Sequence, residues 1–221
     1  MLRVIASSDL RMRDAFIALL GLEKKEDTSF ATVYQKSGYI FLALKNPLKS
    51  SDGEIIAETF LPERLYLPFA TESIDVVHEI GDIIVPNVFI PYDQHLEETM
   101  ITRDNRDTFG KNARFLEIFD EQKDYYVEDF WLSIGGIVVS GVPEKRNEDT
   151  NGKLMLAYEA DVYSSDDLSW ALDIASLDTI STLILAGVVR GKEHPKHRGE
   201  NPYTLVARDM LTTMRLMEEE E

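Results

Sequence analysis

The chain has 221 residues, 44% hydrophobic and 29% charged, with 40 acidic residues against 23 basic ones and no cysteine. Such a hydrophobic share excludes a disordered chain, and the length supports a sizeable core. The lack of cysteine excludes disulfides, thiolate metal sites and a cysteine nucleophile. A formal charge of −17 argues against binding nucleic acid directly or an anionic membrane, because phosphate backbones demand a basic face.

The N-terminal stretch is interrupted by Asp9, Arg11, Arg13 and Asp14, so it does not read as a secretory signal. Val4-Ile5-Ala6 reads as a first strand, and Ser7-Ser8-Asp9 as the cap of a helix over 9–20. Leu10, Met12, Ala15, Phe16, Leu19 and Leu20 recur on one helical face, and Gly21 supplies the C-cap. Phe30–Gln35 and Tyr39–Leu44 flank the Ser37-Gly38 turn as a β-hairpin.

Residues 45–53 read as a polar loop and the one candidate sub-boundary in a single domain spanning 1–221. Beyond it, Pro62, Pro68, Pro86 and Pro91 predict short strands and exclude long helices. Gly81-Asp82 reads as a turn into the buried strand Ile83-Ile84-Val85. Arg114–Ile118 and Tyr125–Leu132 fit strand or helix equally, whereas Trp131–Val142 reads as a strand carrying a glycine bulge. Pro143–Gly152 is a charged turn, with Lys153–Val162 expected as the returning strand of a second hairpin.

Ser164-Ser165-Asp166-Asp167 repeats the cap chemistry of residues 7–9 and opens a helix over 165–178. The apolar run Ile180–Val189 is too short for a membrane span, which needs ~20 residues, and reads as a buried strand. Asn201-Pro202 starts a last helix over 202–217, and Glu218–Glu221 are expected to fray into solvent. The fold class is therefore α+β, with a mixed or mainly antiparallel sheet and about three helices.

The most unusual local chemistry lies between the last strand and the last helix. Arg190, Lys192, His194, Lys196, His197 and Arg198 gather there among Gly187, Gly191 and Gly199. They form the candidate anion-binding or partner-binding segment, since glycines admit close backbone approach and cations supply charge. The spacing matches neither a Walker loop nor a dinucleotide fingerprint. His194 and His197, with Glu193 or His95, offer metal-ligand types, but Pro195 disfavours the helix that would align them, so no metal or other cofactor is assigned. His78 and His95 sit among carboxylates and read as surface ion pairs. Asp104, Asp107, Asp120, Glu121 and Asp124 read as a solvated acidic face. Ser133 and Ser140 lack a nucleophile elbow, and no catalytic residue is assigned.

Residues 4–44 run strand, Ser-Ser-Asp-Leu, helix and two strands, weakly echoed at 158–189. This pattern resembles the opening module of vicinal-oxygen-chelate proteins. The resemblance implies a metal-dependent enzyme, yet Leu2, Arg3, Val4 and Ile5 stand where that family carries a metal-binding histidine. Leu61-Pro62, Leu67-Pro68-Phe69 and 80–85 are similar to the small barrel of phage baseplate hub proteins.

The resulting expectation is a non-enzymatic acidic interaction or assembly protein, such as a viral or phage structural subunit, that forms homo- or hetero-oligomers. It would lie inside the cell or in a virion. Two alternatives stand beside it: a small-anion-binding or metal-dependent enzyme using residues 190–198, and an acidic mimic of nucleic acid.

Overall fold

Alternating side chains on four parallel strands set the architecture. The computed structural model describes residues 2–74, 78–92 and 123–219. Within them the strands are β1 (Arg3–Ser7), β2 (Glu23–Asp27), β3 (Ala31–Lys36), β4 (Tyr39–Leu44), β5 (Arg64–Ser73) and β6 (Ile83–Val85). They continue as β7 (Val88–Pro91), β8 (Lys123–Val127), β9 (Phe130–Ile134), β10 (Ile137–Ser140), β11 (Val162–Tyr163) and β12 (Thr182–Arg190). The helices are α1 (Leu10–Leu20), α2 (Ser50–Phe60), α3 (Glu148–Gly152), α4 (Ser169–Ala175) and α5 (Pro202–Glu219), with a π-helical turn at Lys153–Ala157.

One mixed sheet runs in the order β2-β3-β4-β1-β5-β12-β6-β9-β8, and β10 joins β7 to β11. β4, β1, β5 and β12 are mutually parallel neighbours. Both faces of this centre are covered, so its strands are apolar throughout. Val4, Leu65, Leu67, Phe69 and Ile184 face α2 and α4 through Ile56, Trp170, Ala171 and Ile174. Ile5, Tyr66, Leu183 and Leu185 face α1 and α5 through Met12, Phe16, Val206, Met210 and Met214. A third cluster, Ile90, Val139, Leu154, Tyr158 and Tyr163, holds β7, β10 and β11 to the π-helical turn.

The mixed α+β sheet is as expected, and α1, α4 and α5 lie on the three expected helical segments. Two segments differ. α2 occupies residues read as a loop and proline-bounded short strands. Its start is closed by the Lys49 N–H donating to the Asp52 carboxylate at 2.9 Å. Gly53, at the end of the expected polar loop, is a packing residue: a Cβ there would lie 2.5 Å from Leu177 Cδ1. The second hairpin is also absent. Leu154 and Tyr158, four residues apart, are buried on one side of a helical turn, and β11 pairs parallel to β10 rather than returning against it. Arg114–Ile118 and the acidic residues Asp104–Glu121 lie outside the described residues.

Glu218 does not fray. Its carboxylate accepts hydrogen bonds from Arg3 Nε at 2.8 Å and from the Tyr66 hydroxyl at 2.8 Å, tying α5 to β1 and β5. Burial opposes the charge, but these donors outweigh it and hold the carboxyl below its usual range. Glu218→Ala should therefore cost about 2 kcal/mol, read as a lower urea midpoint at pH 7. The difference should shrink on acidification, as wild-type Glu218 is protonated.

No described helix is long and apolar enough to cross a membrane. One irregularity interrupts the β5–β12 ladder. Pairing is regular from Thr182 opposite Leu65 to Val188 opposite Thr71, and then Arg190, not Val189, stands opposite Glu72.

Candidate active site

β1, β5 and β12 end side by side, and their carboxyl ends open into a cavity of about 420 Å³. In open sheets built from parallel strands this edge is where ligand-binding loops converge. Two turns of the same construction supply acids to it. After β1, the Asp9 N–H donates to Ser7 Oγ at 3.2 Å; after β11, the Asp166 N–H donates to Ser164 Oγ at 3.2 Å. Both aspartates line the cavity.

Their roles diverge from there. Asp9 Oδ1 accepts the N–H groups of Arg11 at 2.7 Å and Met12 at 3.2 Å, fixing it as the N-cap of α1. The Asp166 side chain stands at the mouth and has no hydrogen bond among the described residues. Its pKa is raised, first by the surrounding chain and then by the Asp9 charge, with Arg11 opposing. The pair thus holds one fixed carboxylate beside one that retains its proton more readily.

The bulge in β12 builds a second cluster. Glu72 Oε1 accepts Arg190 Nη1 at 3.0 Å, while Glu72 Oε2 accepts the Tyr163 hydroxyl at 2.5 Å and lies 3.6 Å from Arg146 Nη2. Burial, then the bond to Glu72, raises the Tyr163 pKa and keeps the phenol a donor. Arg146 stacks over the Tyr163 ring at 4.4 Å, and Arg11 over Tyr203 at 4.4 Å. Backbone bonds from Gly141 N–H to Asp166 O and from Val142 N–H to Ser164 O fasten the loop of Glu144, Lys145 and Arg146 to the turn bearing Asp166. All three of those loop residues line the cavity.

Of the six residues proposed from sequence, Arg190 alone lines the cavity. Lys192 Nζ bonds Glu79 at 2.7 Å, and His194 Nε2 lies 3.8 Å from the same carboxylate. Lys196 pairs with Asp129, His197 Nδ1 with Glu200 at 2.9 Å, and Arg198 faces Glu193 at 3.8 Å. The segment is thereby strapped over the turn at residues 78–82 and the start of α5. His194 and His197 stack at 5.1 Å, and no group of three or more potential ligands is placed to hold a metal among the described residues. His95 lies outside those residues.

His78 is not a surface ion pair but is 8% exposed. Its ring nitrogens lie 3.8 Å from Asp82 and 4.0 Å from Asp161, beyond hydrogen-bond length, so charge joins them. Burial opposes protonation, but the two acids outweigh it and raise the His78 pKa to about 9. A raised folded pKa stabilises below the unfolded value near 6.5 and is lost as pH climbs through 9. Stability should therefore fall by on the order of 2 kcal/mol between those limits. Urea titrations across that range should show the decline in wild type and a flatter profile in His78→Gln.

No protein-family model matches the chain, and no curated protein matches it in sequence. Its structure is nonetheless similar to solved enzymes along nearly its whole length. The apo 5′-methylthioadenosine nucleosidase of Arabidopsis thaliana is 12% identical with a TM-score of 0.59, covering 97% of this chain and 95% of that one. The 5′-methylthioadenosine/S-adenosylhomocysteine nucleosidase of Helicobacter pylori, bound to butyl-thio-DADMe-Immucillin-A, is 10% identical with a TM-score of 0.63, covering 100% and 99%. Native futalosine hydrolase of H. pylori is 12% identical with a TM-score of 0.61, covering 100% of each chain.

These likenesses correct the expectation of a non-enzymatic interaction or assembly protein such as a viral or phage subunit, because the fold is one that solved enzymes carry. The vicinal-oxygen-chelate and phage-barrel resemblances fall with it, since the match to nucleosidases spans both segments. The physical reason lies in the cavity. Acids and guanidiniums from β5, β12, α1 and the connecting loops converge on one hollow instead of only covering the exterior. The chain thus has the fold of these nucleosidases and of futalosine hydrolase.

Proposed function

We propose that the chain hydrolyses the N-glycosidic bond of a nucleoside-class substrate held at the carboxyl edge of β1, β5 and β12. The observation that carries this reading is the Asp9–Asp166 pair, one carboxylate anchored on a helix and the other inclined to keep its proton. The nucleosidases and hydrolase of the same fold support the choice of bond.

A nucleobase leaves poorly as an anion, so cleavage needs a proton donor at the base and negative charge near the sugar. Asp166 donates its proton to a ring nitrogen as the C1′–N bond breaks and the bonding electron pair departs with the base. Positive charge then develops on the sugar ring, and Asp9 and Glu72 stabilise it. Water adds its oxygen to C1′ and gives a proton to Asp9, which returns it to Asp166 and closes the cycle. The Arg11–Tyr203 and Arg146–Tyr163 stacks offer flat surfaces suited to a planar base. The intracellular setting expected from the sequence suits such a substrate.

The test is chromatographic. The protein is incubated with adenosine, 5′-methylthioadenosine, S-adenosylhomocysteine and futalosine, and free base and free sugar are quantified. Stoichiometric release of both from at least one substrate is expected. Intact substrate throughout, with no ligand-induced shift in Tm, would overturn the reading.

A further inference from the structure

We propose that the segment from Gly191 to Glu200 is a strap beside the cavity whose fastening depends on the protonation of Asp209. The chain on either side of it runs into the lining, through Arg190 at one end and Tyr203 at the other. Releasing the strap would therefore loosen two walls at once. Between these ends it is held to the turn at 78–82 and to α5. The Ile80 N–H donates to the Lys192 carbonyl at 2.8 Å, and Lys192 Nζ pairs with Glu79 at 2.7 Å. Pro195–His197 form a 3-10 turn, closed by the His197 N–H on the His194 carbonyl at 3.0 Å.

A chain of ionisable groups leads from the strap into the interior. His197 Nδ1 lies 2.9 Å from Glu200 Oε1, and Glu200 Oε2 accepts Arg208 Nη1 at 3.3 Å. Arg208 Nε in turn donates to Asp209 Oδ1 at 3.3 Å, so one guanidinium serves two carboxylates. Both ends of this chain are unfinished. His197 Nε2 is buried without a hydrogen-bond partner among the described residues. Asp209 is 5% exposed, and its Oδ2 accepts no hydrogen bond from them. That oxygen lies against the backbone of Gly81, where a Cβ would stand 3.2 Å away.

An ionised carboxylate in such a place is costly unless donors surround it. Burial accordingly raises the Asp209 pKa to about 7, with Arg208 and His197 opposing and Glu128 of the β8–β9 turn assisting. The turn at Gly81 also brings charged groups, but they are engaged in pairs, His78 with Asp82 and Glu79 with Lys192 and His194. With the strap fastened, Asp209 keeps its proton up to about pH 7; released into water, it ionises from its ordinary 3.8 upward. Fastening is therefore strongest in acid, weakens as pH climbs between these values and levels off above 7. Glu200 does not drive this change, because its bond to His197 lowers its pKa and keeps it charged.

Residue-resolved hydrogen exchange tests this on the ligand-free chain, so the result stands apart from the nucleosidase reading. The reporters are the amides of Ile80, His197 and Glu200, each donating to a strap carbonyl. Corrected for intrinsic rates, their protection should fall by at least about tenfold from about pH 5.5 to about pH 7.5. It should also stay below that of Leu183–Ala186 in β12, the mark of a local opening. Asp209→Asn should make the profile level. Arg208→Gln should carry the decline to higher pH, because it removes a charge that favours the ionised acid. A level profile in wild type, the same decline in Asp209→Asn, or strap amides that exchange only together with β12 would overturn the proposal. Should Asp209→Asn fail to fold, an Arg208→Gln profile identical to wild type overturns it equally.

Discussion

Asp166→Asn should lower the rate of base release by at least about a hundredfold, the usual loss when a general acid is removed, while leaving Tm within about a degree of wild type. The two halves of this expectation come from different observations. Asp166 is exposed at the cavity mouth, and its side chain makes no hydrogen bond among the described residues, so removing its charge disturbs little structure. The proposed role rests on a pKa that desolvation by the surrounding chain and the neighbouring Asp9 charge raise. Asparagine preserves shape but cannot donate that proton to a leaving base. The pH profile separates this from a loss of positioning. Wild-type kcat should fall on an alkaline limb lying above the ordinary aspartate range, and Asp166→Asn should lack that limb. An unchanged profile with a reduced rate would assign the proton to another group.

A second large effect is expected far from the chemistry. Gly187 lies in the middle of β12, where a Cβ would fall 2.2 Å from Val206 Cγ1 and 2.8 Å from Met210 Cε on α5. Its backbone cannot retreat, because it pairs with Ala70 of β5 on one side and Ile83 of β6 on the other. Its carbonyl also accepts the Thr71 hydroxyl at 3.0 Å. Gly187→Ala must therefore push α5 away from the sheet, at a cost of about 3 kcal/mol. Urea denaturation measures this directly. Gly187→Ala combined with Val206→Ala should recover part of the loss, because the second change removes the methyl that the first one meets. Simple addition of the two destabilisations would show that the clash is not the cause.

How much of this was legible beforehand depended on periodicity. The first strand, α1, the β3–β4 hairpin, β12 and the last helix all follow from apolar spacing bounded by caps and turns. Segments that obeyed a less obvious rule were misread. Asp52-Gly53 carries the letters of a turn, yet Gly53 is small because Leu177 lies against it. Lys153–Ala157 has apolar residues close enough to pass for a strand, while Leu154 and Tyr158 actually share a helical face. The site was harder still, since Asp9, Glu72 and Asp166 lie in three distant segments that only the sheet order brings together. One signal was present. Ser7-Ser8-Asp9 and Ser164-Ser165-Asp166 repeat the same triplet directly after an apolar strand, and both were read simply as helix caps. Asp9 is indeed a cap, which is why its second role was hidden. The basic segment 190–198 drew attention through local density of charge, but most of that charge is spent on neighbouring acids.

The displaced pairing near the end of β12 separates two properties of this strand. Below it, seven residues from Thr182 to Val188 keep step with β5 and belong to the core. Above it, Val189 and Arg190 both reach the hollow, although neighbours on an undistorted strand would point to opposite sides. Removing Val189 would restore strict alternation, keep the arginine opposite Glu72 and take the valine out of the lining without touching the buried ladder. The lining of the cavity can therefore diverge independently of the scaffold, through changes in length as readily as through exchanges of side chains.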